Sequence, residues 1–165
     1  MSLIAVVAEP TISQPWAQEL QRDGYEVACH WGPSCSESLF SGDIPEIVIV
    51  DIAHPEWPES MLIPQSRAIW PNCRIVAVVP SYTFRTSAVY EMGLWEPNQL
   101  LLKPLTPRLL AATVTYLWAQ LRTQEIKQQV RETAAAMRQF GEPDLPQHQR
   151  KGGEPSGSKI GQYHH

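Results

Sequence analysis

Residues 47–55 read IVIVDIAHP: four consecutive β-branched side chains that run straight into an aspartate and a loop closed by proline. A strand that is apolar at every position, rather than at alternate ones, has both faces covered. Leu3–Val7 (LIAVV) and Ile75–Val79 (IVAVV) have the same character, with Tyr25–Cys29 and Leu100–Leu102 as weaker companions. Amphipathic stretches separate them. Ser13 offers a helix N-cap with Pro15 close behind, Ile12, Trp16 and Leu20 follow at four-residue spacing, and Gly24 supplies the stop. A short helix is expected around Ser36–Phe40, closed by Gly42. Another is expected over 59–69, where Pro64 predicts a kink or a late start, and a third over 84–92, stopped by Gly93. Strands alternating with helices imply crossover connections and a doubly wound, five-stranded parallel sheet in a three-layer α/β domain. In that architecture the functional site lies at the carboxyl ends of the strands.

From Thr106 the pattern changes. Thr106 is an N-cap with Pro107 at the first helical position, and no Gly or Pro follows until Gly141. About 35 residues of helix, about 50 Å at 1.5 Å per residue, are therefore expected. Leu110, Val114, Leu117 and Leu121 form a stripe suited to packing on the sheet. The register then slips to Ile126, Val130, Ala134 and Met137, which need a partner: a second copy in a dimer, or the chain's own domain. The last 25 residues are rich in Gly, Pro and polar groups and hold three aliphatic or aromatic side chains, too few to offset the entropy of ordering them. The expected organisation is a domain over 1–122, a helical extension over 123–140 and a disordered tail over 141–165.

Composition narrows the function. With 165 residues and a formal net charge of −4, the chain lacks the basic face of a nucleic-acid binder. Residues 1–122 are the acidic part, with 7 basic and 12 acidic side chains. No run approaches the roughly 18 apolar residues of a membrane span. The start, MSLIAVVAEP, has neither the basic region nor the cleavage site of a secretory leader. Cys29, Cys35 and Cys73 are odd in number and without a CxxC pair, which argues against a disulfide scaffold or zinc site; all three are expected to be buried. A cytoplasmic, soluble, mildly acidic protein is expected.

Four strand ends carry polar groups: Glu9, Asp51, Ser81 and Lys103. Two carboxylates supply hard oxygen ligands for Mg²⁺, and a carboxylate can also attack phosphorus to form an acyl phosphate. A hydroxyl and an ammonium stabilise charge on phosphoryl oxygens. An ammonium at the end of an apolar strand, as at Lys103, itself calls for a carboxylate partner.

Over residues 1–120 the chain resembles the receiver domains of two-component response regulators, the CheY-like family. VDIAHP at 50–55 is similar to the family's phospho-acceptor loop, with Asp51 as acceptor, and LLLKPL at 100–105 to its lysine–proline signature. Ser81 falls at the Thr/Ser position. The resemblance implies a flavodoxin/receiver-like fold and phosphorelay signal transduction. The phosphoryl donor would be a sensor histidine kinase or phosphotransfer protein, the cofactor Mg²⁺ at Asp51, Glu9 and the main-chain carbonyl of Ala53, and the Lys103–Pro104 peptide cis. A downstream protein target would bind the face built from the family's fourth helix, fifth strand and fifth helix, and a homodimer through the C-terminal helix is a further expectation.

Three departures stand out. The first strand ends in Ala8 and Glu9 where the family has two adjacent acids, which implies a weakened Mg²⁺ site. The usual aromatic switch position is Leu100, and the segment between Gly93 and Lys103 is somewhat long. The alternative is therefore a pseudo-receiver, an interaction or dimerisation module independent of phosphorylation. A flavodoxin-like small-molecule binder would need a Gly-rich phosphate cradle after the first strand, and AEPTISQPW has no glycine. His54 reads as a loop histidine. Most of the six tryptophans read as core or interface aromatics, with Trp57 and Trp95 candidates for a docking surface near the site.

Overall fold

The computed structural model describes residues 2–52, 61–80 and 96–140. Five strands, β1 (Leu3–Val7), β2 (Glu26–His30), β3 (Ile47–Asp51), β4 (Arg74–Val79) and β5 (Gln99–Leu102), form one sheet in the order β2-β1-β3-β4-β5. Every pairing is parallel. The helices are α1 (Pro10–Arg22), α2 (Cys35–Ser41), α3 (Leu62–Ile69) and α4 (Pro107–Gln139). The architecture is the doubly wound five-stranded α/β fold with an extended C-terminal helix that the apolar runs implied. The helix expected over 84–92 and the disordered tail over 141–165 lie outside the described residues, as do His54, Trp57 and Trp95.

The period of two along each strand sorts side chains into two cores. Val48, Val50, Ile75, Ala77 and Val79 face α2 and α3 together with Leu39, Leu62 and Ile63. Ile47, Ile49, Val76 and Val78 face the other way, against Trp16 and Leu20 of α1 and Leu110, Val114 and Leu117 of α4. β1, β3 and β4 are almost wholly buried, so their sequences are continuously apolar. β2 and β5 are the sheet edges and only half-covered, which is why their sequences read more weakly.

Two local expectations change. α1 starts at Pro10, with Glu9 in an extended conformation as its N-cap, so Ser13 is a buried helical residue rather than the cap. Pro10 supplies the pre-set φ of a first helical position, and the helix also runs through Pro15 at the loss of one backbone bond. Cys29 is exposed on the edge strand β2, although it shares the face of Val27, whereas Cys35 and Cys73 are buried. Trp16 and Trp70 are core residues and Trp118 is half-buried, while Trp31 is exposed. Thr106 does cap α4: its Oγ1 accepts from the Leu109 N–H at 3.2 Å.

The described residues divide into two units, one up to Ile126 and the other from Lys127. Within the first, α4 is tied to the amino-terminal edge of the sheet. Trp118 Nε1 donates to Ser2 Oγ at 2.7 Å, Arg122 pairs with Glu46 at 2.8 Å, and Arg74 donates to Gln124. In the second unit, residues 127–139 are helical and every described residue is exposed.

Two outcomes follow from this packing. Ile49→Ala, in the central strand, should cost about 2–5 kcal/mol in a denaturant titration, as for other buried large-to-small changes. Burial pushes the Cys73 thiol up to about 12, so native protein treated with iodoacetamide near neutral pH should carry a single fast adduct, on Cys29, and three after unfolding.

Candidate functional site

Asp51 is the last residue of β3 and shares the strand parity of Ile47 and Ile49, so it points to the side of the sheet covered by α1 and α4. Lys103 follows β5 and has the parity of Leu101, which places it on that same side. The strand ends are nearly flush: Asp51 pairs with Val78, and Val79 with Leu102. Backbone bonds carry the ladder one step past the strands, from Ile52 N–H to Val78 C=O at 2.8 Å and from Lys103 N–H to Val79 C=O at 2.9 Å. This fixes the direction in which both side chains leave the sheet. The Lys103 ammonium lies 2.7 Å from Asp51 Oδ1.

The pair is asymmetric. The Asp51 side chain is 6% exposed and that of Lys103 29%. Among the described residues Asp51 Oδ1 receives this ion pair and no aligned hydrogen bond. A carboxylate so placed depends on the ammonium, and it keeps acceptor capacity for a cation or for hydrogen-bond donors.

Glu9 stands two residues beyond β1, on the carboxyl edge of the sheet. Its main-chain carbonyl accepts from Ile12 and Ser13, both at 2.8 Å, while its exposed side chain makes no cap bond to α1. Its neighbour Ala8 is buried in the α1–α4 core. Because β1 and β3 are adjacent while β2 lies on the other side of β1, Glu9 and Asp51 flank the place where the winding of the sheet reverses. Doubly wound sheets bind their ligands at that position. Ser81 and Ala53 lie outside the described residues. The Lys103–Pro104 peptide is cis. Beside Lys103 a groove of about 620 Å³ is walled by Thr11, Ile12, Pro15, Trp16, Pro80 and the turn from Pro104 to Pro107.

Asp51 and Lys103 are thus brought together and Glu9 is set at the same edge. The apolar runs that lead into Asp51 and Lys103, IVIV and LLL, made both legible. The Arg122–Glu46 pair and the Trp118–Ser2 bond were not, since nothing local links positions so far apart in the chain.

Solved structures share this fold. A CheY-like response regulator receiver domain from Methanospirillum hungatei is similar at 18% identity and a TM-score of 0.64, over 75% of this chain and 98% of that one. The response regulator TrrA from Thermotoga maritima, solved in complex with Mg²⁺ and BeF, is similar at 24% identity and 0.56, over 71% and 99%. The chemotaxis response regulator CheY4 of Vibrio cholerae is similar at 18% and 0.59, over 70% and 98%. No protein-family model matches the chain, and no curated protein does. The likeness is one of fold: the chain has the architecture of the CheY-like receiver domains.

The asymmetry of the ion pair sets the expected cost of breaking it. Lys103→Met leaves a buried carboxylate without its cation and should destabilise the fold by about 1–3 kcal/mol. That is below the roughly 3–5 kcal/mol of fully buried pairs, because Lys103 reaches water. Asp51→Asn should cost less, since the ammonium can turn outward. A double-mutant cycle read by urea unfolding checks both.

Proposed function

We propose that this chain is a response-regulator receiver in a phosphorelay, with Asp51 accepting a phosphoryl group from the histidine of a sensor kinase or phosphotransfer protein. The observation that carries this reading is the 2.7 Å approach of the Lys103 ammonium to the buried Asp51 carboxylate at the edge where the sheet winding reverses. One Asp51 oxygen attacks phosphorus, the P–N bond to the donor imidazole breaks, and its electron pair leaves on that nitrogen. An acyl phosphate forms on Asp51. Lys103 is already within reach of the carboxylate, so it can follow the charge as it moves from carboxylate to phosphoryl oxygens without a large reorganisation. Ser81 would donate its hydroxyl to the same oxygens. Loss of the free carboxylate ends the original ion pair, and Lys103 passes the change to β5 and to the start of α4.

The donor set suits Mg²⁺. Asp51 and Glu9 offer hard carboxylate oxygens and Ala53 a main-chain carbonyl; Asp51 Oδ1 accepts no aligned hydrogen bond among the described residues. With so few protein ligands, the ion's remaining positions would be filled by water. When bound, the ion would neutralise part of the phosphoryl charge.

Output would be protein contact rather than chemistry or DNA binding, given the net charge of −4. Partners would be a downstream protein and a second copy through the C-terminal helix, in the cytoplasm. No helix of the described residues is long and apolar enough to cross a membrane. One observation favours the pseudo-receiver reading: Ala8, standing where receivers carry an acid, is packed into the core, and Leu100 likewise packs against the core at the aromatic switch position.

Incubation with phosphoramidate or acetyl phosphate and Mg²⁺, followed by intact mass, separates the two. A phosphate adduct that disappears in Asp51→Asn and on chelation of Mg²⁺ is the expected result. No adduct under any condition would leave the constitutive module as the function.

A further inference from the structure

α4 has two apolar faces, and the second runs its whole length. The buried face, Leu110, Val114 and Leu117, packs on the sheet. Every exposed large apolar side chain from Pro107 to Phe140 falls on one other stripe: Leu109 (53% exposed), Tyr116 (60%), Ile126 (60%), Val130 (63%), Met137 (71%) and Phe140 (89%). Steps of three and four connect them, with Ala112, Ala119, Thr123 and Thr133 at the intervening positions. This is an uninterrupted heptad repeat with Leu109 at a and Phe140 at d. At 100° per residue the stripe lies on the side of the helix opposite the buried leucines, so the sheet that holds one face cannot also cover the other. Ala134, read from sequence as part of the second stripe, flanks it at e.

We infer that this stripe pairs with the same stripe of a second copy, and that the two helices run antiparallel with residues 109–140 fully overlapped. The inference deepens the homodimer reading above and rests on it. The pattern is self-complementary about a twofold axis between Gln124 and Glu125. Leu109 meets the second copy's Phe140, Ala112 its Met137, Tyr116 its Thr133, Ala119 its Val130 and Thr123 its Ile126. Each layer that holds a large residue of the repeat sets it against a smaller or flexible one, as antiparallel a–d′ packing requires. A parallel pair would stack Ala on Ala at two levels and Tyr on Tyr or Phe on Phe at others. An overlap of about 48 Å buries on the order of 1,500 Å² in total, the size of a standard specific interface.

Cysteine bridging in the full-length chain, in a Cys29→Ser background, tests the orientation. Within one helix positions 112 and 137 are about 37 Å apart and cannot be joined. Under mild oxidation, Ala112→Cys with Met137→Cys should give a covalent dimer, and each single substitution should not. A dimer from Ala112→Cys alone would show parallel pairing and overturn the inference while the homodimer stands. A chain that sediments as a monomer at every concentration would overturn both. Val130→Glu, at an exposed position, should weaken self-association at least tenfold with unchanged melting temperature; undiminished association would also overturn it.

Discussion

A buried carboxylate is the constraint around which this structure is arranged. Asp51 closes a strand that is apolar at each earlier position, and its side chain is almost fully removed from water. Such a charge is tolerable only beside an opposite charge. The ammonium that answers it comes from 52 residues further along the chain, delivered by a strand two places across the sheet. The parallel register therefore has to be correct for the pair to exist. A slip of one residue at β4 or β5 would turn Lys103 to the other face of the sheet and leave Asp51 alone.

The same sheet explains why α4 has two characters. Its first half buries Leu110, Val114 and Leu117 and is held at its far end by Arg122 on Glu46 and Trp118 on Ser2. Those polar ties sit at the amino-terminal edge of the strands, away from Asp51. Beyond them the helix has no buried residue.

How much could be read in advance followed from how local each signal was. The continuously apolar runs of β1, β3 and β4 announced a sheet covered on both sides, and the Thr106–Pro107 pair marked the start of α4 to the residue. Asp51 and Lys103 stood out because a charge at the end of an apolar strand has few alternative explanations. The start of α1 was misplaced because Ser13 is a better capping side chain than Glu9, yet Pro10 decides the matter through its backbone. Cys29 was expected inside because cysteine is among the most often buried side chains, and the sequence of β2 does not say which of its positions stay uncovered. The outer heptad of α4 was visible only in part: the leucines of the buried face dominate residues 107–122, and Leu109 and Tyr116 join the stripe only once their exposure is known.

The groove beside Lys103 has a rim of an uncommon kind. Pro15, Pro80, Pro104 and Pro107 contribute four of its nine lining residues, and a proline has no main-chain N–H to offer. The one cation among the lining residues, Lys103, is already paired with Asp51. A wall so rich in proline has few main-chain donors along which a strand could be added, which makes it a poor template for edge pairing.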